Sequence, residues 1–115
     1  MTDGPGHRFS AAAQAAIAAA NQYEPYSVAL RRGTLELGYY TPVEVDHQQP
    51  HDQDEVYVIV SGSGRFLNDG VEHDFAPGDA LFVPAGVEHR FVAFSEDTEM
   101  WVVFYGPPGG EAMEP

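Results

Sequence analysis

The sequence has no cysteine among its 115 residues. Disulfide bonds, thiolate zinc sites and cysteine nucleophiles are therefore excluded, and histidine and carboxylate side chains are left as the strong metal ligands. Basic residues are also scarce, because five Lys and Arg stand against eighteen Asp and Glu and give a formal charge of -13. A chain this acidic is repelled by phosphate backbones and anionic lipids, so we expect neither a nucleic-acid nor a membrane partner.

Long hydrophobic runs are absent as well, and no segment reaches the length that a membrane-spanning helix needs. The alanine-rich segment 11–20, which follows Arg8, is weakly similar to a signal peptide. Asp3 lies in what would be the basic region, however, and Gln14 interrupts the apolar run. We therefore expect a cytoplasmic protein rather than a secreted one.

Length and aromatic content predict a single domain, since six Tyr, seven Phe and one Trp can fill one core. Residues 1–8 are rich in Gly and Pro and are predicted to be disordered. Ser10 is a suitable N-cap for an accessory helix within 9–22. The segment 26–105 carries the predicted β-structure, and 106–115 is a Gly- and Pro-rich tail that we expect to be flexible.

The segment 26–105 alternates between short apolar runs and turn residues. The β-branched run at 56–60 predicts a strand, and Asn68-Asp69-Gly70 is a strong hairpin signal. About eight such strands follow one another at short, even spacing, with no helix between them. The pattern predicts an all-β domain, either a sandwich or a barrel.

One polar stretch stands directly before the strand at 56–60. Gln49, His51 and Glu55 would point to the same side of an extended chain, because side chains alternate along a strand. A buried imidazole and carboxylate need a partner, and a divalent metal would provide one. The alternative is a β-hairpin with a polar loop.

A second informative stretch runs from Gly78 to His89. Gly78 allows a tight turn into a short strand, and Pro84 and Gly86 build the next turn. His89 then shares its side of the following strand with Phe91, and it is expected to face an apolar interior. A lone histidine on such a face is more often a core residue than a ligand.

Taken together, the two stretches resemble the signatures of the cupin superfamily. Residues 78–89 have the spacing Gly-x5-Pro-x-Gly-x2-His of the second signature, and residues 51–62 have the spacing His-x3-Glu-x6-Gly found in the first. The resemblance covers most of the predicted β-structure. It implies an antiparallel jelly-roll β-barrel, preceded here by a short N-terminal helix, with a divalent metal held by His51, Glu55 and His89.

The sequence departs from the cupin pattern at three positions. Gln49 stands where a further histidine ligand is expected, Val43 where a glycine is expected, and Ala93 where an asparagine is expected. Gln49 can offer a carbonyl oxygen, which is a weaker ligand for a transition metal than imidazole. It is expected to be a weaker fourth ligand or a neighbour of the metal, and His47 from a shifted loop is the alternative.

Two histidines and one carboxylate with open positions are the usual ligands of non-haem Fe(II) in oxygen chemistry. Mn, Ni, Zn or Cu would be held by the same atoms, so Fe(II) is the first expectation among several. Glu55, or a hydroxide on the metal, would move protons in such a reaction.

Three further side chains are predicted to line the pocket beside the metal, namely Tyr57, Ile59 and Phe91. An apolar, aromatic cavity suits a small organic ligand that chelates the metal, and the alternative for these residues is plain core packing.

We expect a metal-dependent enzyme acting on a small molecule, with dioxygenase chemistry first. A non-catalytic module that binds or senses a ligand or metal, and a structural cupin with an empty site, are the alternatives. Small cupins of this type also imply a homodimer.

Overall fold

The computed structural model describes residues 7–46 and 48–112, and in these residues one helix precedes eight strands. The helix α1 spans Ala11–Ala20. The strands are β1 (Tyr26–Arg32), β2 (Leu35–Tyr40), β3 (Asp54–Ser61), β4 (Gly64–Asn68), β5 (Val71–Phe75), β6 (Ala80–Val83), β7 (His89–Phe94) and β8 (Glu99–Tyr105). The predicted order of elements is confirmed. Of the segment 1–8 that was predicted to be disordered, residues 1–6 lie outside the described part of the chain.

The helix begins where the sequence predicts, because the Ser10 hydroxyl oxygen accepts a hydrogen bond from the Ala13 backbone N–H at 2.9 Å. Its buried face contains Gln14 and Ala18, whereas Ile17 is 46% exposed. The Ser27 hydroxyl on β1 donates to Gln14 Oε1 at 2.8 Å. The helix therefore lies against β1 and β2 through small and polar side chains.

The strands form two sheets in which every pairing is antiparallel. The larger sheet has the order β1-β2-β8-β3-β6, and the smaller one has the order β5-β4-β7. Most neighbours in a sheet are thus distant in the chain. This is the jelly-roll β-barrel that the motifs implied.

The core lies between the inner faces of the two sheets. It contains large apolar side chains from both, which are Tyr57, Ile59, Phe66, Phe75, Val83, Phe91, Met100 and Val102. Aromatic rings meet edge to face or tilted within it, as Phe66 and Phe91 do with ring centroids 4.6 Å apart. A separate aromatic contact joins β2 to β8, where the rings of Tyr39 and Trp101 meet edge to face with centroids 4.9 Å apart.

The predicted hairpin between β4 and β5 is confirmed. Asp69 and Gly70 have φ angles of 52° and 80°, as a tight hairpin turn with two positive φ values requires. This turn brings β4 and β5 into register, with Asn68 opposite Val71.

The segment after β8 packs against the loops at one end of the barrel. The Gly109 N–H donates to the Asp52 carbonyl at 2.7 Å, and the Glu111 N–H donates to the Asp54 carboxylate at 2.9 Å. The same carboxylate accepts a hydrogen bond from the Ala85 N–H at 2.9 Å. The described part of the predicted tail, 106–112, is therefore tied to the two loops that carry the motifs.

Candidate metal centre

The two motifs meet at one end of the barrel, where the first leads into β3 and the second leads into β7. Glu55 is the second residue of β3 in the larger sheet, and His89 is the first residue of β7 in the smaller sheet. His51 lies in the loop before β3, and its carbonyl accepts a hydrogen bond from the Gly86 N–H at 2.7 Å. The loop of the second motif thus holds the loop of the first in place.

Three side chains converge at this point. His51 Nε2 lies 2.7 Å from Glu55 Oε1, and His89 Nε2 lies 3.3 Å from the same oxygen. One potential ligand atom from each residue lies within 4.8 Å of the others. Glu55 and His89 are fully buried, while the His51 side chain is 23% exposed. The three ligands named from the motifs are therefore brought together.

The backbone fixes the orientation of both imidazole rings. His51 Nδ1 lies 2.9 Å from the Gln53 carbonyl oxygen, and His89 Nδ1 lies 2.9 Å from the Val87 carbonyl oxygen. A carbonyl can only accept a hydrogen bond, so each Nδ1 carries a hydrogen, and Nε2 of each ring is the atom that faces Glu55. Backbone acceptors of this kind commonly orient metal-bound histidines.

This arrangement leaves buried polar atoms without partners. Glu55 Oε2 and His89 Nε2 are both buried and make no hydrogen bond. An imidazole nitrogen and a carboxylate oxygen that are buried together without partners are unfavourable unless a cation lies between them. Two imidazole nitrogens and a carboxylate oxygen match the ligand preferences of a divalent transition metal, so the cluster fits a divalent metal site.

The pKa shifts of His51 and Glu55 in the metal-free cluster indicate that positive charge is favoured beside Glu55. Burial lowers the pKa of His51, but the hydrogen bond and negative charge of Glu55 outweigh burial and raise it above its ordinary value. Burial likewise raises the pKa of Glu55, and its interactions with His51 and His89 outweigh burial, so the net pKa is lowered. Both shifts favour a positively charged imidazole beside a negatively charged Glu55 when no metal is bound.

A cavity of about 210 Å³ adjoins Glu55. It is lined by residues of the larger sheet and the loops beside it, namely Glu24, Tyr26, Tyr40, Gln48, Glu55, Tyr57, Val102 and Phe104. Phe104 also meets the His51 ring edge to face, with centroids 4.8 Å apart. Of the three candidate ligands, Glu55 lines the cavity, and His51 contacts its wall through Phe104.

Each of the three tyrosine hydroxyls in the cavity wall donates a hydrogen bond. Tyr26 donates to Glu36 at 2.8 Å, Tyr40 donates to Asp46 at 2.7 Å, and Tyr57 donates to Gln48. Burial, together with the neighbouring carboxylates, raises the pKa of all three phenols well above the ordinary value. These hydroxyls therefore stay protonated, and their hydrogens are already engaged.

Gly38 leaves room for the ring of Tyr26. Tyr26 lies across the inner face of β2, and a Cβ atom at Gly38 would clash with its hydroxyl. The missing side chain lets the Tyr26 ring reach Glu36.

The predicted pocket residues divide into two groups. Tyr57 lines the cavity, whereas Ile59 and Phe91 are buried in the core between the sheets. Ile59 and Phe91 therefore follow the alternative given for the pocket residues, which was plain core packing. Val102 and Phe104 line the cavity from β8.

The structure leaves Gln49 exposed and turns its neighbour Gln48 toward the cavity. The parity argument assumed an extended chain from 49 to 55, but β3 begins at Asp54 and residues 48–51 have no regular structure. Gln48 is held by Asp46, which accepts from Gln48 Nε2 at 3.0 Å and from the Phe91 N–H at 2.8 Å. No local signal in the sequence distinguishes the two glutamines. His47, the alternative ligand, lies outside the described residues.

Comparison with known proteins shows a family match that includes both motifs. The family model described as "Cupin domain" matches residues 37–105, which is more than half of the chain. This chain belongs to the cupin family. The protein SCO3923 of Streptomyces coelicolor is 40% identical over 80 residues, covering 68% of this chain and 76% of that protein.

Two further comparisons place this cupin among more distant proteins. A crystal structure of a cupin 2 conserved barrel domain protein from Salinispora arenicola superposes with a TM-score of 0.58 at 18% identity, covering 70% of this chain and 74% of that one. The HTH-type transcriptional activator RhaS of Mannheimia succiniciproducens is 36% identical over 50 residues, which are 44% of this chain and 19% of the activator. In the described part of the cupin, no helix is both long enough and apolar enough to span a membrane.

Proposed function

We propose that this cupin binds one divalent metal per chain through His51, Glu55 and His89 and uses it to turn over a small organic molecule. The first candidate chemistry is that of a non-haem Fe(II) dioxygenase, with Mn, Ni, Zn and Cu as other possible metals. The observation that supports the proposal is the convergence of two oriented imidazole nitrogens and a buried carboxylate beside a cavity. The proposal places the protein in the cytoplasm as a homodimer.

Three protein ligands leave further coordination positions open. His51, Glu55 and His89 would hold Fe(II), and the metal would then supply open positions of the kind that oxygen chemistry needs. Glu55 is positioned for two roles, because Oε1 faces the histidines and the residue also lines the cavity. Its second oxygen, Oε2, has no hydrogen-bond partner and is the candidate to accept a substrate proton.

Gln49 enters the proposal as the weaker fourth ligand or metal neighbour that the cupin pattern implied. Its exposure makes the expected effect small. Gln49→Ala should retain most of the metal, in contrast to any replacement of the three buried or half-buried ligands.

The experiment loads the metal-free protein with Fe(II) under nitrogen, adds small diketones, catechols, flavonols or thiols one at a time, and then admits air. We expect ligand-dependent oxygen consumption that is absent in His51→Ala and retained in His73→Ala, an exposed histidine on β5. Oxygen uptake that is equal in His51→Ala and in the wild type would contradict the proposal.

A non-catalytic binding or sensing role is the second candidate. It is favoured by the 50-residue match to a transcriptional activator, although that match covers a small part of the activator. A sensor needs the cavity but not an exchangeable metal position. Tight binding of a panel member without oxygen uptake, whichever metal is present, would select this role instead.

A further inference from the structure

The wall of the cavity beside Glu55 presents hydrogen-bond acceptors almost exclusively. The three tyrosine hydroxyls donate their hydrogens to Glu36, Asp46 and Gln48. The Gln48 amide donates one of its two hydrogens to Asp46 at 3.0 Å. The remaining polar groups in the wall are the carboxylates of Glu24 and Glu55. A molecule in this cavity thus meets oxygen lone pairs and negative charge.

Positive charge is missing from the wall. The chain has no lysine, and none of its five arginines lines the cavity. Arg31, which is on the adjacent β1, is 70% exposed and is paired with Glu36 at 3.0 Å. Apart from a metal, the described residues that line the cavity therefore offer no cationic side chain to neutralise a carboxylate or phosphate group of a ligand.

The groove that leads to the cavity is also lined by acidic side chains and by no basic one among the described residues. This wider groove of about 710 Å³ adjoins the cavity, between the end of α1 and residues 41–45, and the two share Glu24, Tyr40 and Gln48. Glu96 and Glu99 line this outer groove, and no basic side chain does. Glu24 stands where the groove meets the cavity. Acidic side chains along a concave path raise the local concentration of cations and disfavour anions.

The size of the inner cavity limits what can enter. Its volume of about 210 Å³ corresponds to roughly seven water molecules at their liquid volume. Its apolar wall, formed by Val102, Phe104 and the tyrosine rings, favours a planar or compact organic body. Glu55, whose buried Oε2 has no partner, is part of the wall of this space.

We infer that the molecule this site selects is a small organic cation, with metal-coordinating oxygens at one end and a protonated amine at the other. The oxygens face the centre formed by His51, Glu55 and His89, and the ammonium group is bound by the Glu24 carboxylate where the cavity meets the groove. This inference rests on the proposed function for the metal end of the ligand, and on the charge of the cavity for the amine end.

Three catechols that differ only in their tail test the inference. Dopamine carries an ammonium group, hydroxytyrosol a neutral hydroxyl, and 3,4-dihydroxyphenylacetate a carboxylate, and all three chelate metals through the same two oxygens. Their affinities for Zn(II)-loaded protein are measured by calorimetry under nitrogen, because Zn(II) does not take part in redox chemistry. Dopamine should bind roughly tenfold or more tightly than the carboxylate, as expected for one charge-assisted hydrogen bond.

Glu24→Gln and Asp74→Asn form a matched pair, since each removes one negative charge. Asp74 is exposed on β5 and does not line the cavity or the groove. Glu24→Gln should abolish most of the preference for dopamine, and Asp74→Asn should leave it unchanged. Equal affinity for the three compounds, preference for the carboxylate, or a full preference in Glu24→Gln would overturn the inference.

Failure of the metal site gives a different result from failure of the charge assignment. Zinc stoichiometry is measured first, and absence of bound zinc would contradict the proposed function. The three compounds are then compared on the metal-free protein, where dopamine should still bind best through its tail. Normal zinc binding without a preference for dopamine would overturn this inference alone.

Discussion

At the scale of single residues, the candidate centre depends on which nitrogen of each imidazole carries the hydrogen. The Gln53 and Val87 carbonyls accept from Nδ1 of His51 and His89, and so direct both Nε2 atoms at Glu55. The sequence could predict which three residues come together, because they belong to spaced motifs. It could not identify these carbonyls, because their positions follow from loop conformations that no motif specifies.

The pH dependence of stability should differ between the metal-free and metal-bound protein. In the metal-free protein the pKa of His51 is raised above 6.5 by Glu55, so the stability that this pair contributes is fully present below pH 6.5. That contribution is lost as the pH rises through the raised pKa. The pKa of Glu55 is lowered below 4.5, so its contribution is present above pH 4.5 and is lost as the pH falls through the lowered value.

Thermal denaturation of wild-type protein and His51→Asn from pH 4 to pH 9 measures this effect as a difference between the two proteins. The difference should be largest in mildly acidic solution and should shrink toward alkaline pH. Added zinc should reverse the trend, because metal binding requires neutral imidazoles and strengthens as the pH rises. A difference that grows with pH in the absence of metal would contradict the assigned pKa directions.

At the scale of elements, turns are where local sequence and structure agree best. The Asn68-Asp69-Gly70 hairpin could be predicted because positive φ values require these residue types. The helix is different, because its buried face is formed by Gln14 and Ala18, with Ile17 exposed. Which face of the helix is buried depends on Ser27 and on the sheet that the helix packs against. The sequence of the helix alone contains no information about either. The position of Asp46 could not be predicted for the same reason, since its carboxylate accepts a hydrogen bond from Phe91 on a strand that is distant in sequence.

Two glycines with similar backbone angles should respond very differently to alanine. Gly62 and Gly70 have φ angles of 87° and 80°, so alanine at either position costs about 1–2 kcal/mol in backbone strain. A Cβ at Gly70 meets open space, whereas at Gly62 it clashes with the Thr98 side chain and backbone. Gly62→Ala should therefore lower the free energy of unfolding by more than about 3 kcal/mol.

Urea denaturation of the two variants checks this prediction, with Gly70→Ala as the matched control for strain alone. Equal losses of stability would show that Thr98 does not restrict the position. The expected difference would explain why the last residue of the first motif is a glycine.

At the scale of the whole molecule, the outer face of the larger sheet carries exposed apolar side chains. Phe82 is 50% exposed on the edge strand β6, and Val58 and Val60 beside it on β3 are 37% and 39% exposed. Edge strands with apolar side chains tend to be covered in stable proteins. This face is the candidate surface for the proposed homodimer.

Sedimentation equilibrium at micromolar concentration should give the mass of a dimer. Phe82→Glu should shift the protein toward the monomer, because a charge would be buried in the contact. Val71→Glu is the control, since Val71 is 54% exposed but lies on β5 in the other sheet. A monomeric wild type, or an equal effect of the two variants, would reject this surface.

Metal stoichiometry tests the central claim most directly. The protein is stripped with a chelator, titrated with zinc and with Fe(II) under nitrogen, and analysed for bound metal after gel filtration. Wild-type protein and His73→Ala should each bind one metal ion per chain, whereas His51→Ala and His89→Ala, checked by circular dichroism for an intact β-barrel, should lose most of it. Full occupancy in folded His89→Ala would contradict the assignment of the centre.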